Sequence, residues 1–456
     1  MPDSSNALPV REVRDVYGRR YRVGETDFDL TGRSRIWMLR LCWASMLAIS
    51  LFQYGFGAAI PALTRANGWT LWEAFSVLAV WIVCQAGTAL PAVWLYRRVR
   101  VRLVVPMLAA ASLSLVALIT LGHSRDLATV LVGYSVLGGI GAGLVYMTCI
   151  ATVTEWYPER TATMVGVVSG AFGYGAVPFV VIAAYVLGIE NLPVVLDSTA
   201  VAVFVVIAVS GLVLRKPPRH WWPAQIDPQR WAVDRRLNRS IPNNMPALRP
   251  YSPRAAVRSG MLPLMFFLVV LTAAMALFDI AYLVGFAHHR VEQPLLIVAS
   301  IGVLAVATGI GRAVTSSLSD RLGRRRTLGL ALAVGGVAQF GLLAAVEAEQ
   351  VLAVVAFAGL AGAGTGAGYS LLVSLVRDWF GGEATLFNYG IVYTGKVVGG
   401  LAGIGLAGLV TGAPGAIAAF VAAGCLGLFG ALLTSGMRQP GRPTLSVLPR
   451  LRPDEL

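Results

Sequence analysis

At 456 residues, 56% of them hydrophobic and only 13% charged, with a mean hydropathy of +0.70, the chain is too apolar for a water-soluble globular protein. A net charge of +14 invites a nucleic-acid reading, but the basic residues are confined to particular segments, and that placement excludes it. The cysteines Cys42, Cys84, Cys149 and Cys425 lie within or beside apolar stretches and form no C-x-x-C pair, so neither a disulfide framework nor a metal site is expected.

Residues 1–35 form a polar tail of mixed charge without the short apolar core and cleavage site of a signal peptide. Residues 36–214 hold six apolar segments, beginning near Trp37, Leu71, Leu103, Leu127, Thr163 and Pro193. Each has about 20 residues, enough at ~1.5 Å per residue to cross a ~30 Å hydrocarbon core. Residues 215–260 carry ten basic residues and many prolines and read as a polar linker, with Trp221 and Trp222 expected at the membrane interface. Six more segments fill residues 261–436, beginning near Met261, Leu295, Thr327, Val351, Thr385 and Ala416, and residues 437–456 form a second tail. The expected fold is an all-α membrane protein with twelve transmembrane helices in two six-helix bundles.

All but five of the 37 basic residues fall in the tails, at the entrance of the first helix or in alternate loops. Arg65, Arg125 and Arg290 lie in the opposite loops, and Arg312 and Lys396 lie within spans. This asymmetry places both termini in the cytoplasm of a multi-pass cell-membrane protein, with a basic face suited to anionic lipid headgroups. His288 and His289, at the outer end of the seventh span, read as loop residues or as pH sensors at the entrance.

The two halves repeat. Gly139-x-Gly141-x-Gly143-x-x-Tyr146, ending in Glu155-Trp156-Tyr157, is matched by Gly362-x-Gly364-x-Gly366-x-x-Tyr369, ending in Asp378-Trp379-Phe380, at a constant offset of 223. One helix pair earlier, Gly87, Arg97, Arg100 and Arg102 answer Gly311, Arg321, Arg324 and Arg326 at an offset of 224. Two halves duplicated in the same orientation place a site between them at the bilayer midplane. The glycine runs lie in spans with no strand before them, so they serve close helix approach and not a nucleotide loop.

Two cations stand where that site should be. Lys396 is near the middle of the eleventh span, and an ammonium at that depth costs roughly 2.5–3.5 kcal/mol on insertion scales. It is one of two lysines, with Lys216, among thirty-five arginines, a choice that favours a compact, mobile charge. Arg312 lies eight residues before Asp320, about 12 Å inside the boundary if the helix is regular; it either snorkels to the interface or faces the cavity with Lys396. A guanidinium fork and a point charge suit the two ends of a small organic anion. Asp279, a carboxylate placed inside the seventh span, is open to three readings: it neutralises one of the cations, takes a proton, or reaches solvent at the outer end.

The stretch Gly311-x8-Asp320-Arg321-Leu322-Gly323-Arg324-Arg325-Arg326 resembles the G-x-x-x-D-R-x-G-R-R loop of the major facilitator superfamily. The resemblance implies that Asp320, Arg321, Gly323 and Arg324 form a gating loop that holds one conformation closed on the cytoplasmic side. The first-half copy departs, with Tyr96 in the place of Asp320 and Val99 in that of Gly323, so the latch there is expected to be weak. Within the superfamily the chain is similar to the oxalate/formate antiporter group, related to the monocarboxylate porters. The residues that carry this likeness include Gln53-Tyr54-Gly55, Gln85, Trp156-Tyr157-Pro158-Glu159-Arg160, Gly173-Tyr174-Gly175, Gly309-Ile310-Gly311-Arg312, Asn388-Tyr389-Gly390 and Tyr393-Thr394-Gly395-Lys396.

This likeness implies that Arg312 and Lys396 bind substrate and that Gln53, Tyr54, Tyr146, Tyr174, Tyr369 and Tyr393 line the site. From the residues alone, each tyrosine is balanced between lining and packing, with Tyr393 favoured by its spacing from Lys396. Thr365 stands where the oxalate carrier type has an aromatic residue, which implies a wider cavity and a bulkier substrate. The expected function is secondary active transport of small carboxylates by anion exchange through alternating access, with proton-coupled monocarboxylate symport as the alternative. Drug efflux and anion sensing without transport rank below these, and no enzyme constellation is found in the spans. The expected partners are the anion and the lipid bilayer, with no nucleic acid, no cofactor and a monomeric state.

Overall fold

The computed structural model describes residues 10–98, 102–288, 294–410 and 416–442; Arg100, His289 and Arg290 fall outside them. Among the described residues twelve helices are long and apolar enough to cross a membrane, which makes this a multi-pass membrane protein. Spans 1 to 6 are Ile36–Asn67, Leu71–Arg97, Val104–His123, Leu127–Trp156, Thr161–Tyr185 and Leu192–Val213. Spans 7 to 12 are Met261–Phe286, Val298–Leu322, Arg324–Glu347, Val351–Phe380, Gly382–Leu409 and Ile417–Gly436. Their starts lie within three residues of those read from the sequence.

Local chemistry sets the ends. Gly68, at φ +71°, closes span 1, and Thr70 and Glu73 cap span 2 reciprocally. The Asp126 carboxylate accepts from the Thr129 amide at the start of span 4. Among the described residues three spans carry a π-helical stretch: Leu51–Gly55 in span 1, Leu131–Gly138 in span 4 and Val298–Gly302 at the start of span 8. Wider turns of this kind re-aim side chains and free a carbonyl. The first two stretches are tied together, because the Tyr134 hydroxyl donates to the Phe52 carbonyl at 2.8 Å. The stretch in span 1 contains Gln53 and Tyr54.

Glycines let the spans touch through their backbones. In span 10, a Cβ on Gly364 would stand 2.5 Å from the Gly335 nitrogen of span 9. The halves meet the same way: a Cβ on Gly170 of span 5 would stand 2.5 Å from the Gly309 carbonyl oxygen of span 8. Spans 2 and 11 form the second seam, with Gly390 against Leu90 and Ala89, Gly400 against Ile82, and Gly408 against Trp72. Because both seams are in contact along most of their length, the halves are closed upon each other.

The polar segments fold into a cap on the face that carries the termini. Arg11–Arg14 and Arg20–Val23 pair as an antiparallel hairpin, and its strand alternation turns Tyr21 and Val23 inward. The linker extends it: the Arg22 amide donates to the His220 carbonyl and the Trp222 amide to the Arg22 carbonyl. Trp221 and Trp222, expected at the membrane interface, are instead 4% and 1% exposed. The reason is that Trp221 packs edge-on against Trp156 at 5.0 Å, and Trp222 packs between Tyr21 and Trp231. Further along, Asn243 and Asn244 donate to the Arg321 and Ser319 carbonyls at the end of span 8, and the Tyr251 amide donates to the Phe380 carbonyl.

Gly364→Leu drives a side chain into the span 9 backbone and is expected to destabilise the purified protein by about 1–3 kcal/mol or more. Gly405→Leu, at a position with no neighbour within 4 Å of a Cβ, is expected to leave the melting temperature unchanged. Thermal unfolding of the two variants side by side checks the packing.

Candidate functional site

Lys396 is 2% exposed and Arg312 is 2% exposed, so neither snorkels to the interface. The Lys396 ammonium donates to Gln53 Oε1 at 2.9 Å and to Gln85 Oε1 at 3.0 Å. Both acceptors belong to the first half, from spans 1 and 2, so the second half's lysine is held by the first half's amides. Arg312 Nη1 donates to the Ser169 carbonyl of span 5 at 2.9 Å. The two cations share walls. The Tyr369 ring lies 4.8 Å from the guanidinium and 5.9 Å from the ammonium, and the Phe172 ring 5.7 and 5.4 Å from them. These are cation–π distances, which partly replace water around the charges.

An aromatic cage closes around this pair. Tyr146 stacks on Tyr393 with centroids 4.8 Å apart, and its hydroxyl lies 3.3 Å from that of Tyr389. Tyr389 in turn donates to the Tyr369 carbonyl at 3.0 Å, and Gln85 Nε2 donates to the Tyr393 hydroxyl at 3.0 Å. Tyr54 packs edge-on against Phe172 at 6.2 Å. Three donors inside the cage have no partner among the described residues: Arg312 Nε, the Tyr369 hydroxyl and Trp81 Nε1. Buried polar groups are rarely left unpaired, and here all three are donors beside two cations. The arrangement offers N–H and O–H groups and positive charge to a guest that accepts hydrogen bonds.

The structure therefore brings together Arg312, Lys396, Gln53, Tyr54, Tyr146, Tyr369 and Tyr393. It does not bring Tyr174 to them. The Tyr174 hydroxyl accepts from Trp43 Nε1 at 2.7 Å in an exposed position, and its ring covers Gly309 on the outside of the span 5–span 8 seam. Gln85, Tyr389, Phe172, Trp81 and Ser169 complete the chamber without having been read as site residues. Tyr389 had a signal, because residues 389, 393 and 396 share one helical face. Gln85 had another, a polar amide in an apolar span. Ser169 acts through its backbone and had none.

The loop after span 8 is an ion network. Arg324, buried, bonds Asp320 Oδ1 at 3.1 Å, Ser319 Oγ at 3.0 Å and the Asp378 carboxylate at the end of span 10. Thr163 of span 5 donates to Asp320 Oδ2 at 3.3 Å and so ties the loop to the other half. Gly323, at φ +92°, supplies the turn, and the Arg324 amide donates to Asn244 of the linker. The Arg321 side chain is exposed and outside the network. In the first half Tyr96 builds a different latch: its hydroxyl donates at 2.7 Å to Glu155, the repeat counterpart of Asp378. Lys216 of the linker lies 3.4 Å over the Tyr96 ring and donates to its carbonyl. Burial pulls the Lys216 ammonium below its ordinary range, against the pull of Glu155. A phenol that donates to Glu155 thus stands where the second half has Asp320 accepting from Arg324, so the first half, where a weak latch is expected, has a bonded contact of another kind.

The family model described as Major Facilitator Superfamily matches residues 42–307 and 293–453. The chain belongs to the major facilitator superfamily. The MFS-type transporter YhjX of Escherichia coli strain K12, itself uncharacterized, is 25% identical over 291 residues, covering 61% of this chain and 65% of that protein, just under two thirds of its length. The oxalate:formate antiporter of Oxalobacter formigenes is 23% identical over 327 residues, covering 70% of this chain and 72% of that one. The solved structure of the proton:xylose symporter XylE, bound to 6-bromo-6-deoxy-D-glucose, superposes with a TM-score of 0.63 at 14% identity, covering 88% and 96% of the two chains. That likeness shows a shared fold, the twelve-helix arrangement of this superfamily. The protein is thus a major facilitator transporter, and members of the superfamily bind small solutes between their halves.

In this transporter Asp279 is 1% exposed but stands apart from both cations' bonds. Its Oδ1 accepts from Gln339 Nε2 of span 9 at 2.8 Å, inside the second half. The charge pair with Lys396 is not made in this conformation, and the carboxylate is not solvated at the outer end.

Gln85→Leu removes one acceptor from the buried ammonium and is expected to cost about 1–3 kcal/mol in thermal or denaturant unfolding. Arg324→Lys cannot span Asp320, Ser319 and Asp378 at once, so its melting temperature should fall between those of the parent and Arg324→Ala. If Arg324→Lys melts with the parent, the fork has no special role.

Proposed function

We propose that this transporter carries small organic anions, carboxylates in particular, by exchange through alternating access. The reading is carried by one observation: two buried cations face one aromatic cage, and neither bonds a carboxylate among the described residues. Their present partners are neutral dipoles, which solvate a charge but do not cancel it. A guest carboxylate fits Arg312 Nε and Nη groups as a fork, and a second acidic or polar end fits Lys396 after displacing the glutamine oxygens. The Tyr369 hydroxyl and Trp81 Nε1 supply further donors. The named Oxalobacter relative, an oxalate:formate antiporter, supports the same substrate class.

Exchange follows from the electrostatics. Closing the chamber empty buries two like charges, at several kcal/mol per ion uncompensated, and the amide oxygens offset only part of that. Closing it around an anion cancels the charge. The loaded carrier therefore crosses between its two open states more readily than the empty one, which favours anion-for-anion exchange over net uptake. The cationic lining disfavours organic cations and hence drug efflux, and Thr365 in the place of an aromatic residue favours a substrate bulkier than oxalate. The charge asymmetry of the loops supports a cell-membrane orientation with both termini and the cap in the cytoplasm, and the carrier is read as a monomer.

Thermal-shift measurements on purified protein with mono- and dicarboxylates test the site. At an anion concentration of 100 times Kd the expected stabilisation is about 2.7 kcal/mol, and it should vanish in Lys396→Ala and Arg312→Ala. Stabilisation that survives both substitutions removes the site. Counterflow in proteoliposomes tests the mode: labelled anion should enter only vesicles preloaded with anion, and uptake into empty vesicles driven by a pH gradient alone contradicts exchange in favour of symport. Gln85→Glu mimics a bound carboxylate beside Lys396, so it should cut exchange at least ~10-fold without lowering the melting temperature.

A further inference from the structure

We propose that the second half holds a proton-binding site separate from the anion chamber, in which Asp279 of span 7 carries a proton on Oδ2 and donates it to the amide oxygen of Gln339 of span 9. The inference stands on the pairing of these two side chains and not on the anion-carrier reading. Gln339 Nε2 donates to Asp279 Oδ1 at 2.8 Å, and both residues are buried, at 0% and 1% exposure. The remaining atoms of the pair are Asp279 Oδ2 and Gln339 Oε1. Both are acceptors, and both are without a partner among the described residues. Two unpartnered acceptors on residues already joined along one edge match an acid–amide pair, in which the acid donates along the second edge. One proton on Oδ2 would satisfy both orphans and close a ring of two hydrogen bonds.

The alternative is an ionised carboxylate with one neutral donor in a bundle interior, at a cost of several kcal/mol. Among the described residues no positive group is bonded to the pair to offset it. Of the groups on span 11, which packs against span 7, Lys396 bonds the glutamines of the first half, and Tyr389 and Tyr393 belong to the cage. Span 10 brings Tyr369 to that cage and places Arg377 and Asp378 at its end by the cap. In span 1, Tyr54 lies at the cage and Arg65 Nε donates to its own Pro61 carbonyl. Span 12 offers Cys425, which is exposed, and Glu347 of span 9 lies at that helix's far end. Asp279 is therefore held by Gln339 in hydrocarbon-like surroundings, and a carboxylic acid is the form that fits.

Asp279→Asn keeps the ring, since its amide can accept from Nε2 and donate to Oε1. Gln339→Leu destroys it. Infrared spectra of the wild-type protein with carboxyl-labelled aspartate, at neutral pH, should show a protonated-acid carbonyl band that is isotope-shifted by the label. The band should be absent in Asp279→Asn and displaced in Gln339→Leu. Asp279→Asn should melt within about 2 °C of the parent, and Gln339→Leu clearly below it. If either variant fails to fold, the labelled wild-type band and its response in the other variant still decide. Absence of any labelled acid band at neutral pH overturns the proposal, as does a band that neither substitution alters.

Discussion

Two positive side chains are buried in the middle of a membrane protein and, among the described residues, are bonded only by neutral groups. That constraint orders the rest of the structure. Lys396 is held by two amide oxygens, Arg312 by one backbone carbonyl, and both by the faces of Tyr369 and Phe172. Each of these groups stabilises a cation without neutralising it. Because the amides come from the first half and the lysine from the second, the same bonds that solvate the charge also tie the halves together. On the proposed anion-carrier reading, a carboxylate arriving at the site would compete for those bonds, which would couple loading and release to how firmly the halves hold each other.

The scaffold allows such competition because its seams are smooth. Spans 5 and 8 touch through Gly170 and Gly309, and spans 2 and 11 through Gly390, Gly400 and Gly408, so the halves can part and rock without unlocking interdigitated side chains. Stiffness is supplied elsewhere. Arg324 binds the ends of spans 8, 9 and 10, while Tyr96, Glu155 and Lys216 do the corresponding work in the first half. The linker takes part in both, through Lys216 at its start and Asn244 further on. The cap therefore bridges the two latches, and its burial of Trp221 and Trp222 explains why an otherwise polar segment is folded.

The twelve spans are legible in the sequence because hydrophobic runs of membrane length have one physical use. Lys396 and Arg312 are legible for the converse reason, that a cation in such a run demands an explanation. Tyr393 is legible from its spacing to Lys396. Tyr174 misleads because a family likeness assigns a residue to a helix but not to a face: Gly173 beside it sits on the seam against Gly309, and the tyrosine turns outward to Trp43. Ser169 is invisible because it contributes a carbonyl, which every residue has. The hairpin is hidden because its apolar content is small, Val13, Tyr21 and Val23, and its third edge comes from a segment some two hundred residues away. The Tyr96 latch is hidden because a phenol stands in the place of the carboxylate that the repeat suggests and its second partner, Lys216, comes from the distant linker.

The most direct measurement of the central claim is a structure determined with the best-stabilising dicarboxylate bound. One carboxylate should lie at about 2.7–2.9 Å from Arg312 nitrogens, the other end should contact Lys396 Nζ, and at least one glutamine oxygen should have left the ammonium. An anion found outside the cage, with Gln53 and Gln85 both still on Lys396, would contradict it.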